Sequence, residues 1–117
     1  MDYHNNIQYL EIPSQDLDAT KAFFQAAFNW IFTDYGSEYT AFTSATIEGG
    51  FFKSSAVSRT EQGACLIIFY STDLEETEQL VVGAGATIVQ PTFEFPGGRR
   101  FHFCEPGGSE FAVWSDT

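Results

Sequence analysis

The sequence is short of the side chains on which most protein chemistry runs. Its 117 residues hold 2 cysteines, 2 histidines and 5 lysines or arginines. That inventory cannot build a zinc ribbon, an iron–sulfur centre or a disulfide framework. Against 16 acidic side chains the 5 basic ones leave a formal net charge of −11, so a run of phosphates cannot be neutralised and a nucleic-acid partner is excluded. The same sign disfavours an anionic membrane surface, and no apolar run approaches the roughly 18 residues that span a bilayer. Residues 1–6 carry no basic and apolar leader, so the expected compartment is the cytoplasm. Cys65 and Cys104, both in apolar segments, are expected there as buried, reduced thiols. No Gly-x-Ser-x-Gly elbow, P-loop or Gly-x-Gly-x-x-Gly motif is present.

What the chain has in quantity is aromatic surface, with 13 Phe, 5 Tyr and 2 Trp. It also has an internal repeat. Asp16-Leu17-Asp18-Ala19-Thr20 returns 57 residues later as Asp73-Leu74-Glu75-Glu76-Thr77. Before each copy lies a strand-like run, at 7–12 and at 64–69, and each copy opens an amphipathic helix. Leu17, Phe24, Ala27 and Phe28 share one helical face in the first copy, and Leu74, Thr77, Leu80 and Val81 follow in the second. Thr72-x-x-Glu75 reads as a capping box, and Gly83 and Gly85 offer left-handed stops. Three short strands follow each helix, at 30–35, 38–43 and 46–52 and at 86–94, 99–104 and 109–115. The prediction is a single α+β domain over 1–117, with module one at 5–52, a polar linker at 53–63 and module two at 64–115. A half of about 55 residues cannot bury both faces of its sheet, so the modules must pack on each other or on a second chain.

Several motifs in order give the chain a resemblance. Tyr9-Leu10-Glu11-Ile12-Pro13-Ser14, Asp16-Leu17, Phe23-Phe24 and Phe28-Asn29-Trp30 resemble the opening signature of the vicinal oxygen chelate superfamily, which includes glyoxalase I, bleomycin-resistance proteins and extradiol dioxygenases. Gly83-Ala84-Gly85, Phe95-Pro96-Gly97-Gly98 and Glu105-Pro106-Gly107-Gly108-Ser109 extend it, the last being similar to the family's Asp-Pro-x-Gly-Asn turn with Glu for Asp and Ser for Asn. The resemblance implies two βαβββ modules forming a curved mixed β-sheet around a concave cavity, in a homodimer. In metal-using members it also implies ligands on the first and last strands of each module. Those positions fall here on Ile7 or Tyr9, on Leu66, on Ala112 and in the region of Glu48. Glu48 is the one carboxylate among them and the weak candidate for a catalytic group. The expectation is therefore an incomplete metal site with no cofactor, and a divalent metal only under the alternative reading, a lyase or isomerase of the lactoylglutathione lyase type.

Residues of one parity on a strand share a face. A four-residue turn at 105–108 sets Cys104 opposite Ser109, Phe103 opposite Glu110 and Phe101 opposite Ala112. On that register the ligand-binding wall is Tyr9, Glu11, Leu66, Ile68, Phe101, Phe103, Glu110 and Trp114, with His102 and Cys104 turned to the helices. A slip of one residue inverts the assignment. Aromatic rings beside Glu11, Glu110 and Glu48 suit a small cationic or hydroxyl-bearing molecule. Arg99-Arg100 is either a carboxylate clamp at the rim or a solvated pair at a turn.

Overall fold

The structure, a computed structural model, describes residues 3–117. Elements follow the chain as β1 (Tyr9–Ser14), α1 (Leu17–Phe28), β2 (Ile31–Asp34), β3 (Tyr39–Thr43) and β4 (Glu48–Lys53). A 3-10 turn (Thr60–Gln62) precedes β5 (Ile67–Tyr70), α2 (Leu74–Gly83), β6 (Thr87–Phe95), β7 (Gly98–Cys104) and β8 (Glu110–Ser115). The βαβββ order occurs twice, as two four-stranded mixed sheets ordered β1-β4-β3-β2 and β5-β8-β7-β6. In each sheet the outer strand runs parallel to the module's last strand, β1 beside β4 and β5 beside β8, and the other pairings are antiparallel. This is the expected α+β arrangement of two βαβββ modules, with the strands divided between two mixed sheets. No helix among the described residues is long and apolar enough to cross a membrane.

The repeat is built by the same hydrogen bonds twice. Asp16 caps α1 by accepting from the Ala19 N–H, and Asp73 caps α2 by accepting from the Glu76 N–H. Asp73 thus takes the capping position expected of Thr72. Ser14 and Thr20 share a hydrogen bond of 2.7 Å, as do Ser71 and Thr77 at 2.7 Å. The Ser14 and Ser71 hydroxyls also accept from the N–H groups of Asp16 and Asp73. Each strand end is thereby locked to the helix that follows it. Asn29, with φ 60°, closes α1 in the left-handed conformation.

The core lies between the helices and one face of each sheet. Phe23 and Phe24 of α1 are buried against Phe51 of β4, Phe103 of β7 and Phe111 of β8. Rings continue outward from Phe24 to Trp30 and from Trp30 to Phe42, stacked at 4.5 and 4.2 Å. One helix therefore packs on both sheets, which is how the two modules share a single core. Ile12 and Phe42 of the first sheet and Leu74, Val81 and Val113 of the second module complete it.

Candidate functional site

Loop 105–109 decides which side chains face outward. Its length is five residues, so Cys104 pairs with Glu110, Phe103 with Phe111, His102 with Ala112, Phe101 with Val113 and Arg100 with Trp114. The cause is Ser109. Its hydroxyl donates to the Pro13 carbonyl at 2.7 Å, and its N–H donates to the Glu105 carboxylate at 3.3 Å. Those bonds hold Ser109 in the loop, and Gly108 beside it takes a left-handed φ of 104°. The register is one residue away from the expected one. Phe101 and Phe103 are consequently fully buried in the core and line no cavity. His102 and Cys104 lie on the open face instead of the helix face. Glu110 and Trp114 keep the open side assigned to them.

Read across the second sheet, that face is a grid of three rows. Arg100, Trp114 and Tyr70 form one, and His102, Ala112 and Ile68 the next. Cys104 and Glu110 form the third, with Leu66 half-buried just before β5. Ala112 is fully buried among larger neighbours. A recess of about 310 Å³ opens here between Ile68, Phe95, Gly97, Arg100 and Trp114. Trp114 meets Phe95 and Tyr70 edge-on at 6.1 and 5.1 Å.

The polar groups of the face divide into those with partners and those without. Glu110 accepts from the Thr60 N–H at 2.8 Å, from the Thr60 hydroxyl at 2.9 Å and from His102 Nδ1 at 2.9 Å. Burial pushes its carboxyl up, but the Thr60 and His102 donors outweigh that and hold it below the ordinary carboxylate value. The acceptor at Nδ1 fixes a proton there, leaving His102 Nε2, which is buried with no partner. Burial also pushes the Cys104 thiol up, so it is an inert neutral group. Cys65, expected to be buried, is exposed because β5 begins only at Ile67 and Cys65 lies in the extended chain before it.

The first sheet carries the remaining assigned residues. Tyr9 stands beside Glu48, Glu11 beside Gly50 and Phe52 beside Tyr39. Gly50 leaves room for the Tyr39 ring, since a Cβ there would sit 2.0 Å from the Tyr39 hydroxyl. That hydroxyl bonds the Tyr9 hydroxyl at 2.6 Å and donates to Glu11 at 3.0 Å. Burial, then Tyr9 and Glu11, push the Tyr39 phenol up. Glu48 accepts from Gln8 at 3.0 Å. Glu11, Glu48 and Glu110 are each engaged within the chain, which weakens the case for a cationic ligand. Tyr9 and Glu48 border a shallow hollow with Tyr35 and Thr43. A larger cleft of about 680 Å³ lies between the modules, bounded by Leu10, Phe28, Trp30, Phe42, Ile67 and Phe69.

A divalent ion does not fit the positions that the family resemblance implies. Leu66 and Ala112 offer no donor, Ile7 offers none, and the Tyr9 hydroxyl is already bonded to Tyr39. Glu48 alone has a suitable oxygen. Among the described residues no three His, Cys, Asp or Glu side chains converge in a way that could hold a metal. No chemical step is therefore derived through an ion.

Comparison with known proteins follows the fold. The model of the Glyoxalase/Bleomycin resistance protein/Dioxygenase superfamily matches residues 6–113. A fosfomycin resistance protein, FosX, from Listeria monocytogenes is similar with a TM-score of 0.78 at 21% identity, covering 97% of this chain and 94% of that one. A glyoxalase/bleomycin resistance protein/dioxygenase family enzyme from Burkholderia phytofirmans PsJN gives 0.76 at 15% identity, with 94% and 98% covered. Lactoylglutathione lyase from Agrobacterium tumefaciens gives 0.71 at 16% identity, with 97% and 96% covered. At these identities the likeness is one of fold. No curated protein matches the chain.

Proposed function

Because the chain belongs to the glyoxalase/bleomycin resistance protein/dioxygenase superfamily, we propose that it binds a small organic molecule on the open face of its second sheet. The observation that carries this reading is the recess between Ile68, Phe95, Arg100 and Trp114. Its walls, Trp114, Phe95 and Ile68, are half-buried or exposed although the chain has a core able to take rings. Ligand sites are typically apolar and aromatic with a few placed polar groups, and Arg100 supplies one here. The module repeat and the poor metal donor set support binding in place of metal-assisted isomerisation. Thermal denaturation across a panel of aromatic and aliphatic metabolites tests the reading. A true ligand at about 100 times its Kd adds roughly 2.7 kcal/mol of stability by mass action. A panel that moves neither the midpoint nor the Trp fluorescence overturns it. Isomerisation of a hemithioacetal that requires a divalent ion and is abolished by Glu48→Ala replaces it with the lyase reading.

The working unit we propose is a homodimer. β1 and β5 each end a sheet with one unpaired edge, and exposed Tyr9, Ile68 and Tyr70 lie along them.

A further inference from the structure

We infer that the recess of the second sheet takes an aromatic carboxylate, with Arg100 pairing the ligand's charge; this rests on the proposal that the face binds a small molecule. The chain has few cations, and most are committed to partners within it. Lys21 pairs with Asp18 and Asp34, and Arg99 pairs with Glu75. Arg59 donates through Nε to the Gly108 carbonyl at 2.8 Å. Lys53, Arg59 and Arg100 enter none of the ion pairs among the described residues, and Arg100 differs from the other two arginines in that its Nε is buried with no hydrogen-bond partner. In a chain with 16 acidic residues, a buried guanidinium N–H without an internal acceptor is a group that a ligand can satisfy. Arg99 and Arg100, adjacent in sequence, thus answer both alternatives for that pair, since the first is tied to a helix carboxylate and the second faces the recess.

The surroundings fix the guanidinium and keep competing carboxylates away. Arg100 lies over the rings of Phe93 and Phe95 at 5.2 and 5.6 Å, contacts that orient its planar fork without consuming its N–H donors. Trp114 stands directly across on β8. Glu94 pairs with Arg99 in the register and so has the opposite parity, Glu110 is held by Thr60 and His102, and Asp116, two residues beyond Trp114, is taken by the Tyr70 hydroxyl at 2.6 Å. A carboxylate can meet the fork with two parallel hydrogen bonds, and a ring attached to it can lie against Trp114, Phe95 and Ile68. One isolated cation suits one negative charge. A ligand amine would meet the guanidinium with like charge.

Three probes that share one ring system separate the possibilities: 2-naphthoate, 2-naphthalenemethanol and 2-naphthylmethylammonium, titrated by calorimetry. Naphthoate is expected to bind about tenfold or more tighter than the alcohol, and the amine weakest, because a hydrogen bond to a charged group contributes about 1.5–3 kcal/mol. Arg100→Gln should bring the acid-to-alcohol ratio down to about one. Arg100→Lys, which keeps the charge and loses the fork, should retain part of the preference, so a loss caused by misfolding is recognisable. Naphthoate should also quench Trp fluorescence in the native chain and not in Trp114→Phe. Equal binding of acid and alcohol, or preference for the amine, overturns the carboxylate assignment and leaves small-molecule binding standing. Quenching that survives Trp114→Phe puts the acid in the cleft beside Trp30 and likewise overturns it. If no probe binds, the assignment falls together with the reading beneath it.

Discussion

Glu105 is a carboxylate with almost no contact with solvent, at 2% exposure, and it holds the two modules together. Thr20 of α1 donates to it at 2.7 Å, the Gly107 N–H at 2.6 Å and the Ser109 N–H at 3.3 Å. Removing the acceptor strands a hydroxyl and two N–H groups in the interior. Glu105→Ala should lower stability by about 2–3 kcal/mol in urea denaturation. The charge itself has an opposing consequence. Burial pushes the carboxyl above the ordinary 4.5, more than the three donors pull it down. The folded chain therefore binds this proton more tightly than the unfolded chain does. Its contribution is complete below the unfolded value and is lost as the pH rises through the folded one. The stability advantage of the native chain over Glu105→Gln, which cannot titrate, should accordingly be largest near about pH 4 and shrink towards about pH 8. An advantage that grows with pH would mean that the donors outweigh burial.

At the scale of elements, the repeat explains how much of the fold was legible from the residues alone. Asp16 and Asp73 start helices because their side chains can cap, and strand positions follow from alternation, so the order of elements and most boundaries are local properties. Either cap changed to Ala should cost about 1 kcal/mol, measured by urea titration of Asp16→Ala and Asp73→Ala. The equivalent serines should differ. Ser71 joins only Thr77 and its own strand end, whereas Ser14 is linked through Thr20 to Glu105, so Ser14→Ala should be the more damaging of the two. Equal losses would show that the coupling to module two adds nothing. The face of β7 was not legible, for a physical reason. A turn length is local until a distant atom competes for one of its residues, and Ser109 is taken by the Pro13 carbonyl, 96 residues earlier. Because side chains alternate, that single residue exchanged Phe101 and Phe103 for Arg100 and His102 on the open face. The chemistry of the candidate site therefore lay in tertiary contacts, which alternation along a strand cannot supply.

For the molecule as a whole, the shared core and the loop contacts join the modules at one end, where the Gln15 N–H donates to the Gly107 carbonyl at 2.9 Å and the Ser109 hydroxyl to the Pro13 carbonyl at 2.7 Å. At the other end the sheets part around the large cleft, and there the strand edges are open. The edges are guarded unequally. β1 carries Glu11 and Pro13, the charge and the imino acid that commonly protect an unpaired strand. β5 is Ile67-Ile68-Phe69-Tyr70, with no charge, no proline and no bulge, and it borders the cleft. An apolar edge of this kind invites pairing with another chain unless something covers it. The net charge of −11 opposes indiscriminate association but does not shield that strand, since none of the charge is on it. A second copy seated on β5 resolves the conflict, and it agrees with the homodimer proposed above. The native chain should then sediment as a dimer at micromolar concentration. Tyr70→Lys, a charge placed on the edge at a side chain already 52% exposed, should return it to a monomer with helix and sheet content intact by circular dichroism. A native chain that sediments as a monomer overturns the homodimer and leaves β5 guarded only by its length of four residues.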